Sequence, residues 1–450
     1  MNRRLVALLL LSACVQRSSD KPLTSSKPIE PWDEEPSAVT TPLAARPPEV
    51  SRAELRYRPA LPTVQCSGDL RVCVHSEGTS PEASAVLAAS VDVLLGLRAL
   101  RLPAVRSDVS DTGSPELDVY LDLNAEGAQA VSDPGNEAGA ASDGGTTFVV
   151  TPALSRDCRS RHALATAIGS ALLLSQDAAT DQDVLAMLGG HLANLVAPCS
   201  DVLFDAVDAA QRAPERTFVG TLNEPAPAAF LFPQFLEDRF GTNEPGKLTT
   251  ALVAISSQRS SKGPLNDEPD MFDALRVTQR RNGSSLADTL LEFAVARAFL
   301  GSRSDDQHMQ DVSFLGAMGR VRFEWSVDHA TLPRRLAPLR PIEPLGATYI
   351  LLTLDQVAPD AEFTFAAEWE QPALFRWAIV KLREDGSELG RSEVTPVLGE
   401  FEIQRTVRDL SGARSVLIVG LHEGETRRDE PFDPGQFRER PRSYSVTLYP

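Results

Sequence analysis

Six histidines, at positions 75, 162, 191, 308, 329 and 422, supply the lone pairs that bind metals or pass protons near neutral pH. No two stand four residues apart, the spacing that puts two imidazoles on one helical face. His162 and His191 fall on adjacent predicted helices, so a rearranged metal site would need them to converge with a carboxylate. His422-Glu423 begins like an H-E-x-x-H metal helix. Its fifth position is Thr426, however, and its context is a strand end, which reads as surface. The chain has no G-x-S-x-G elbow, P-loop or G-x-G-x-x-G fingerprint. Ser170 follows Gly169 inside an apolar helix, where a small side chain packs rather than attacks. Trp325, Trp369 and Trp377, with Phe363, Phe365 and Phe375, would line a groove or fill a core; on strands the core reading is preferred.

Five cysteines complete the reactive set. The first, Cys14, ends a short leader. Arg3-Arg4 are basic, and Leu5 to Leu11 form an apolar run shorter than the roughly 20 residues that span a bilayer. Leu11-Ser12-Ala13-Cys14 resembles the lipobox of bacterial lipoproteins, which implies a signal peptide over 1–13 and a diacylglycerol on the Cys14 thiol. At about 0.8 kcal/mol per buried CH₂, several acyl chains make a lasting membrane anchor. Val15 rather than Asp follows the lipidated position, which by the same resemblance implies the outer membrane, on either face. The remaining Cys66, Cys73, Cys158 and Cys199 are even in number, as expected of disulfides in an exported chain, with three possible pairings. Cys66 and Cys73 flank one predicted hairpin. Cys158 starts one predicted helix and Cys199 lies just past the end of the next. Two bridges, 66–73 and 158–199, follow if those helices pack antiparallel. A Cys₄ metal site is the alternative, but no C-x₂-C spacing supports it.

These residues need elements to hold them. Residues 15–62 are rich in Pro, Ser and Thr without apolar periodicity, and read as a disordered tether of roughly 40 Å average reach. A first folded region is expected over 63–335. It begins with a hairpin around Ser67-Gly68-Asp69 and continues with a helix over 81–100 and a strand at Leu117–Leu121. A Gly/Ala/Ser/Asp loop over 132–147 and a β-like run at 147–151 follow, then helices over 159–174, 181–196, 230–240, 248–256, 271–281 and 285–300. Pro333, Pro338, Pro341 and Pro344 mark a boundary. Beyond it, β-like runs at 348–354, 362–368, 375–382, 400–407, 415–421 and 443–448 predict an antiparallel sandwich over 336–450. The expected class is therefore α+β.

Read in order, the first region resembles a family of secreted bacterial putative zinc metalloproteases. Cys66…Val72-Cys73-Val74-His75 matches its Cys-flanked hairpin, and Asp111-Thr112-Gly113-Ser114-Pro115-Glu116-Leu117-Asp118-Val119-Tyr120-Leu121 matches its loop and strand. The family's zinc helix has the pattern T-x-x-H-E-x-x-H-x-x-Q. Thr166 and Gln176 stand in place here, but Gly169 and Leu173 occupy the ligand positions and Ser170 that of the general base. No Asp or Glu lies between Val184 and Ser200, where the third ligand is implied. The same helix also reads simply as buried, with Leu164, Ile168 and Leu172 at i, i+4 and i+8. Either way, no zinc-peptidase site, no metal and no cofactor is expected.

Composition narrows the rest. The 450 residues are 42% hydrophobic and carry a net charge of −18, and no basic stripe offsets it, so nucleic acid is disfavoured as a partner. The preferred expectation is a non-catalytic cell-envelope lipoprotein that binds or scaffolds an unknown protein or envelope polymer. A metallohydrolase with substituted ligands and a purely structural envelope protein are the alternatives.

Overall fold

The computed structural model describes residues 59–68, 72–105, 117–133, 144–221, 224–241, 244–258, 269–305, 307–310, 313–355, 358, 361–396, 400–425 and 440–450. The leader, Cys14, nearly all of the expected tether and the 111–116 half of the second family motif lie outside these residues. The fold is mixed α+β. Strand β1 (Thr63–Cys66) pairs antiparallel with β2 (Val72–Ser76), and Cys66 sits directly opposite Cys73. A crossover helix, α1 (Pro81–Ala99), starts at a Ser80 side chain that accepts from the Ala83 N–H, with Pro81 in its first turn. It leads to β3 (Leu117–Leu121), parallel to β2. Strand β4 (Gln129–Asp133), an unexpected strand whose last two residues fall at the start of the loop expected over 132–147, pairs antiparallel with β5 (Thr146–Thr151), giving the order β1-β2-β3-β5-β4.

Period-two alternation decides what this sheet buries. Val72, Val74, Val119, Leu121 and Val149 face the helices and join their core. Tyr120, Phe148 and Val150 form a small cluster on the other face. The helices are α2 (Cys158–Gln176), α3 (Gln182–Val196), α4 (Ser200–Arg212), α5 (Leu231–Phe240), α6 (Lys247–Ser256), α7 (Met271–Arg281) and α8 (Leu286–Arg297), with a two-residue pair β6 (Gly220–Thr221) and β7 (Glu224–Pro225) between α4 and α5. Asp157, Asp270 and Ser285 cap α2, α7 and α8 with side-chain acceptors. Among the described residues no helix is long and apolar enough to cross a membrane.

The β-rich part holds two sheets. One has the order β13 (Glu388–Val394), β12 (Ala373–Leu382), β15 (Ser415–Glu425), β10 (Ala347–Thr353), β8 (Trp325–Asp328). The other runs β14 (Glu402–Val407), β11 (Phe363–Trp369), β16 (Tyr444–Tyr449), β9 (Arg334–Leu336). All pairs are antiparallel except β8 with β10. Two strands that begin before residue 336, β8 and β9, are thus built into these sheets. Phe363, Phe365, Phe375, Trp377, Ile379 and Ile418 fill the space between the sheets. The opposite face of the five-stranded sheet is buried as well. Ala378, Val380, Leu417, Val419 and Leu421 belong to the helical core, and the Tyr349 hydroxyl donates to the Ala294 carbonyl on α8 at 2.7 Å.

Candidate functional site

Helices α2 and α3 carry the positions at which the resemblance places metal chemistry. The Cys158–Cys199 disulfide ties the first residue of α2 to the residue that precedes α4, with Cα atoms 5.4 Å apart. Cys66 and Cys73 form the second bridge. Both pairings agree with the expectation from hairpin and helix ends. Along the α2–α3 contact small residues face each other. A Cβ on Gly169 would lie 3.4 Å from the Leu192 Cβ and 3.5 Å from the Gly189 Cα. A Cβ on Gly189 would lie 2.5 Å from the Ser170 Oγ and 3.0 Å from the Thr166 carbonyl oxygen. Ser170 spends its hydroxyl on the Leu185 carbonyl at 3.3 Å, and Leu173 is buried. Beside Leu173, Val184 and Leu188 a space of about 20 Å³ has room for roughly one water. These residues do not fit a zinc ion: Gly169 and Leu173 offer no ligand atom, and neighbouring helix fills the space.

The histidines are scattered. His162 is buried and its Nδ1–H donates to the Ala197 carbonyl at 3.0 Å; burial lowers its pKa. His191 is 3% exposed, burial pushes it down to about 4, and its Nε2 has no hydrogen-bond partner. Among the described residues no group of three or more His, Cys, Asp and Glu side chains is placed to hold a metal ion, so His162 and His191 do not converge with a carboxylate. His308 stacks on Phe299 with centroids 3.8 Å apart. Its ring joins Asp305 at 2.9 Å through Nδ1 and Glu388 on β13 at 2.8 Å through Nε2. His75 bonds Asp118 at 2.9 Å.

His422 and Glu423, expected at the surface, are 0% and 1% exposed. The reason is that β15 is covered on both faces. His422 stacks on Phe375 and donates from Nδ1 to the Ile342 carbonyl at 2.9 Å, while Glu423 pairs with Arg376. The aromatics Phe363, Phe365, Phe375, Trp369 and Trp377 are core, as their strand positions imply.

The open space lies on another side of α3. A cavity of about 510 Å³, within the roughly 300–1,000 Å³ of small-molecule sites, is lined on its polar side by His191, Asn194, Gln234, Asp238, Glu244 and Gln310. Leu195, Leu203, Phe314, Pro198 and Pro245 form apolar wall, and Cys199 brings the disulfide to its edge. Glu237 lies in the wall with its charge already used. Its Oε1 accepts from the Thr249 N–H and hydroxyl, each at 2.9 Å, which satisfies the start of α6. The Asp238 Oδ2 accepts from the Gln310 N–H at 3.1 Å. The sequence singled out only His191 and Cys199 of these residues. The others come from the stretch 194–203 that joins α3 to α4, from α5, from the 244–245 turn and from residues 310–314, and no spacing in the chain links them.

No family model matches the chain, and no curated protein matches it. Among solved structures it is similar to the pre-peptidase C-terminal domain of a collagenase from Bacillus anthracis, at 7% identity over 28% of this chain and 96% of that one, TM-score 0.19. A tailspike enzymatic domain of bacteriophage CBA120 is similar at 11% identity over 26% of this chain and 16% of that one, TM-score 0.19. The Yersinia pseudotuberculosis-derived mitogen is similar at 10% identity, 26% and 86% coverage, TM-score 0.17. At such TM-scores none of them assigns a fold or an activity to this chain.

Proposed function

We propose that this chain is a lipid-anchored lipoprotein of the bacterial outer membrane whose metalloprotease-like body binds a ligand or partner and does not catalyse. Leu11-Ser12-Ala13-Cys14 supports the anchor, and the Pro-rich stretch that follows would let the body work away from the bilayer. Two disulfides are in keeping with an oxidising compartment. The observation that carries the binding role is the cavity beside α3, which is roomy and lined by both apolar and polar side chains. The closed α2–α3 contact taken alone favours a second reading, a structural envelope protein, because it leaves no cleft where the resemblance would put one.

Two measurements test the proposal. Detergent phase partitioning of the expressed chain should place it in the detergent phase, with a diacylglyceryl-modified Cys14 as the first residue by mass spectrometry. Cys14→Ser should move it to the aqueous phase; a wild-type chain found there, with Cys14 unmodified, overturns the anchor. Elemental mass spectrometry on the untagged, oxidised protein should find no stoichiometric zinc. One zinc per chain would overturn the non-catalytic reading and make His162→Ala and His191→Ala the next variants.

A further inference from the structure

We propose that the cavity beside α3 is the deep part of a docking groove for an amphipathic cationic helix, with apolar side chains on one face and Lys or Arg along its flanks. This rests on the binding role proposed above and adds the kind of partner. The observation that carries it is apolar surface left in water. Phe314 is 55% exposed and Leu195 38% exposed, yet both line the cavity, so its apolar wall runs out onto the surface of the molecule. Leu203 lines the same wall, and the Phe314 ring meets the Phe204 ring of α4 edge-on, with centroids 6.0 Å apart. Asn194, Gln234 and Gln310 supply polar surface around these side chains. Large apolar groups gathered in this way mark an interaction site, unlike the single exposed residues scattered over any surface.

The charge around the groove selects the partner. Among the described residues every charged side chain that lines it is a carboxylate: Glu237, Asp238 and Glu244. Asp201 adds another, exposed in the first turn of α4 beside the lining residue Ser200. Glu237 is spent on the start of α6. The bases nearby are matched by acids: Lys247 stands 3.3 Å from Glu244, and Arg159 stands 2.8 Å from Asp205. The field at the rim is therefore negative, and a field of this kind steers and orients a cationic partner without any one carboxylate having to accept its proton. The same field, on a chain of net charge −18, repels a second copy and the anionic lipids of a bilayer surface. The lining residues belong to helices and turns, with no strand among them, so the groove offers side-chain contact and not backbone pairing. Apolar anchors at i, i+3 and i+4 of a helix are the arrangement that fills such a groove.

The experiment is calorimetric titration of the whole mature chain, carrying Cys14→Ser so that no detergent is needed, with a synthetic peptide of Leu and Lys in which Leu recurs at helical spacing. Two further peptides serve as controls: the same residues in scrambled order, and the same pattern with Glu in place of Lys. The patterned cationic peptide should bind about tenfold or more tightly than either control, and added salt should weaken it. Phe314→Ser and Leu195→Ser should each weaken binding about fivefold or more at unchanged melting temperature, and Phe314→Leu should retain it. Leu339→Ser, at an exposed leucine that does not line the groove, should leave binding unchanged. Binding of none of the peptides, equal binding of the patterned and scrambled ones, or binding indifferent to Phe314 and Leu195 would overturn the docking groove and leave the anchored, non-catalytic reading as it stands. Sedimentation of the protein with phosphatidylglycerol vesicles, abolished by Phe314→Ser, would also overturn it, because the groove would then be a lipid contact. The peptide recovered after titration should be intact by mass spectrometry. Its cleavage, with the dependence on Phe314 kept, would instead overturn the non-catalytic reading and leave the groove standing.

Discussion

Gly169 and Gly189 face each other across α2 and α3, yet substitution should affect them in opposite directions. Alanine is the better helix former by about 1 kcal/mol at either position. At Gly169 a methyl group meets Leu192 and Gly189 at ordinary van der Waals distance, so Gly169→Ala should be neutral or stabilising by up to about 1 kcal/mol. At Gly189 the methyl would meet the Ser170 hydroxyl and stand 3.0 Å from the Thr166 carbonyl. Ser170 can rotate only by giving up the Leu185 carbonyl, and the Thr166 backbone cannot rotate at all. Overpacking of this kind costs about 1–3 kcal/mol, which outweighs the helical gain. Urea denaturation should therefore place Gly189→Ala below wild type and Gly169→Ala at or above it. Equal midpoints for the two variants would mean that the helices are not held by this contact. Placing histidines at 169 and 173 would meet the same obstacle, because the space a metal would need is occupied by neighbouring helix.

At the scale of elements, what could be read from the chain was what the core writes into it. Helices α1, α2, α3, α5, α6, α7 and α8 carry apolar faces and were expected within a few residues of their ends. Helix α4 was not expected, because only Val207 and Gln211 are buried along it. The strands that alternation missed, β4, β8, β9 and β13 together with the two-residue β6 and β7, all lie at sheet edges, where one neighbour and partial cover demand less apolar sequence. The cavity was illegible for a different reason: its residues meet only after four separate segments have packed, so nothing local marks them. The disulfides were legible because each joins the ends of adjacent elements, and they should differ in weight. Loop-closure entropy gives about 4 kcal/mol for the 41-residue separation of Cys158–Cys199 and about 2.5 kcal/mol for the 7-residue separation of Cys66–Cys73. Urea unfolding of the paired Cys→Ala variants should show the larger loss for 158/199. Since that bridge lies at the cavity edge, its removal should also weaken any ligand bound there. A larger loss from 66/73 would show that the hairpin, not the helix pair, limits stability.

Taken whole, the molecule buries ionisable groups on both sides of the five-stranded sheet, and their balance fixes how stability depends on pH. His191 in the helical part and His422 in the sandwich are each driven by burial to about 4, from an ordinary value near 6.5. The unfolded chain therefore takes up protons below pH 6.5 that the folded chain refuses until about pH 4. Stability from these two groups is complete above pH 6.5 and falls through that window, by about 3 kcal/mol each at 1.36 kcal/mol per unit. Glu423 works in the other direction. Burial raises it to about 7 against the pull of Arg376, so the folded chain holds a proton that the unfolded chain releases near 4.5, and stability falls as pH rises from 4.5 to 7. Glu388 adds a lower window: burial opposes its charge, but hydrogen bonds from His308 and Arg391 outweigh it and hold it at about 2. Its contribution is present above 4.5 and lost as pH drops toward 2. Two histidines outweigh one glutamate, so urea midpoints should decline from pH 6.5 downward, well before ordinary carboxylates titrate. Glu423→Gln removes the opposing group and should steepen that decline between pH 6.5 and 4.5, whereas Glu388→Gln should flatten only the portion below 4.5. A midpoint constant from pH 7 to 5 in the Glu423→Gln protein would show that His191 and His422 reach solvent, and the burial that the shared core implies would then be wrong.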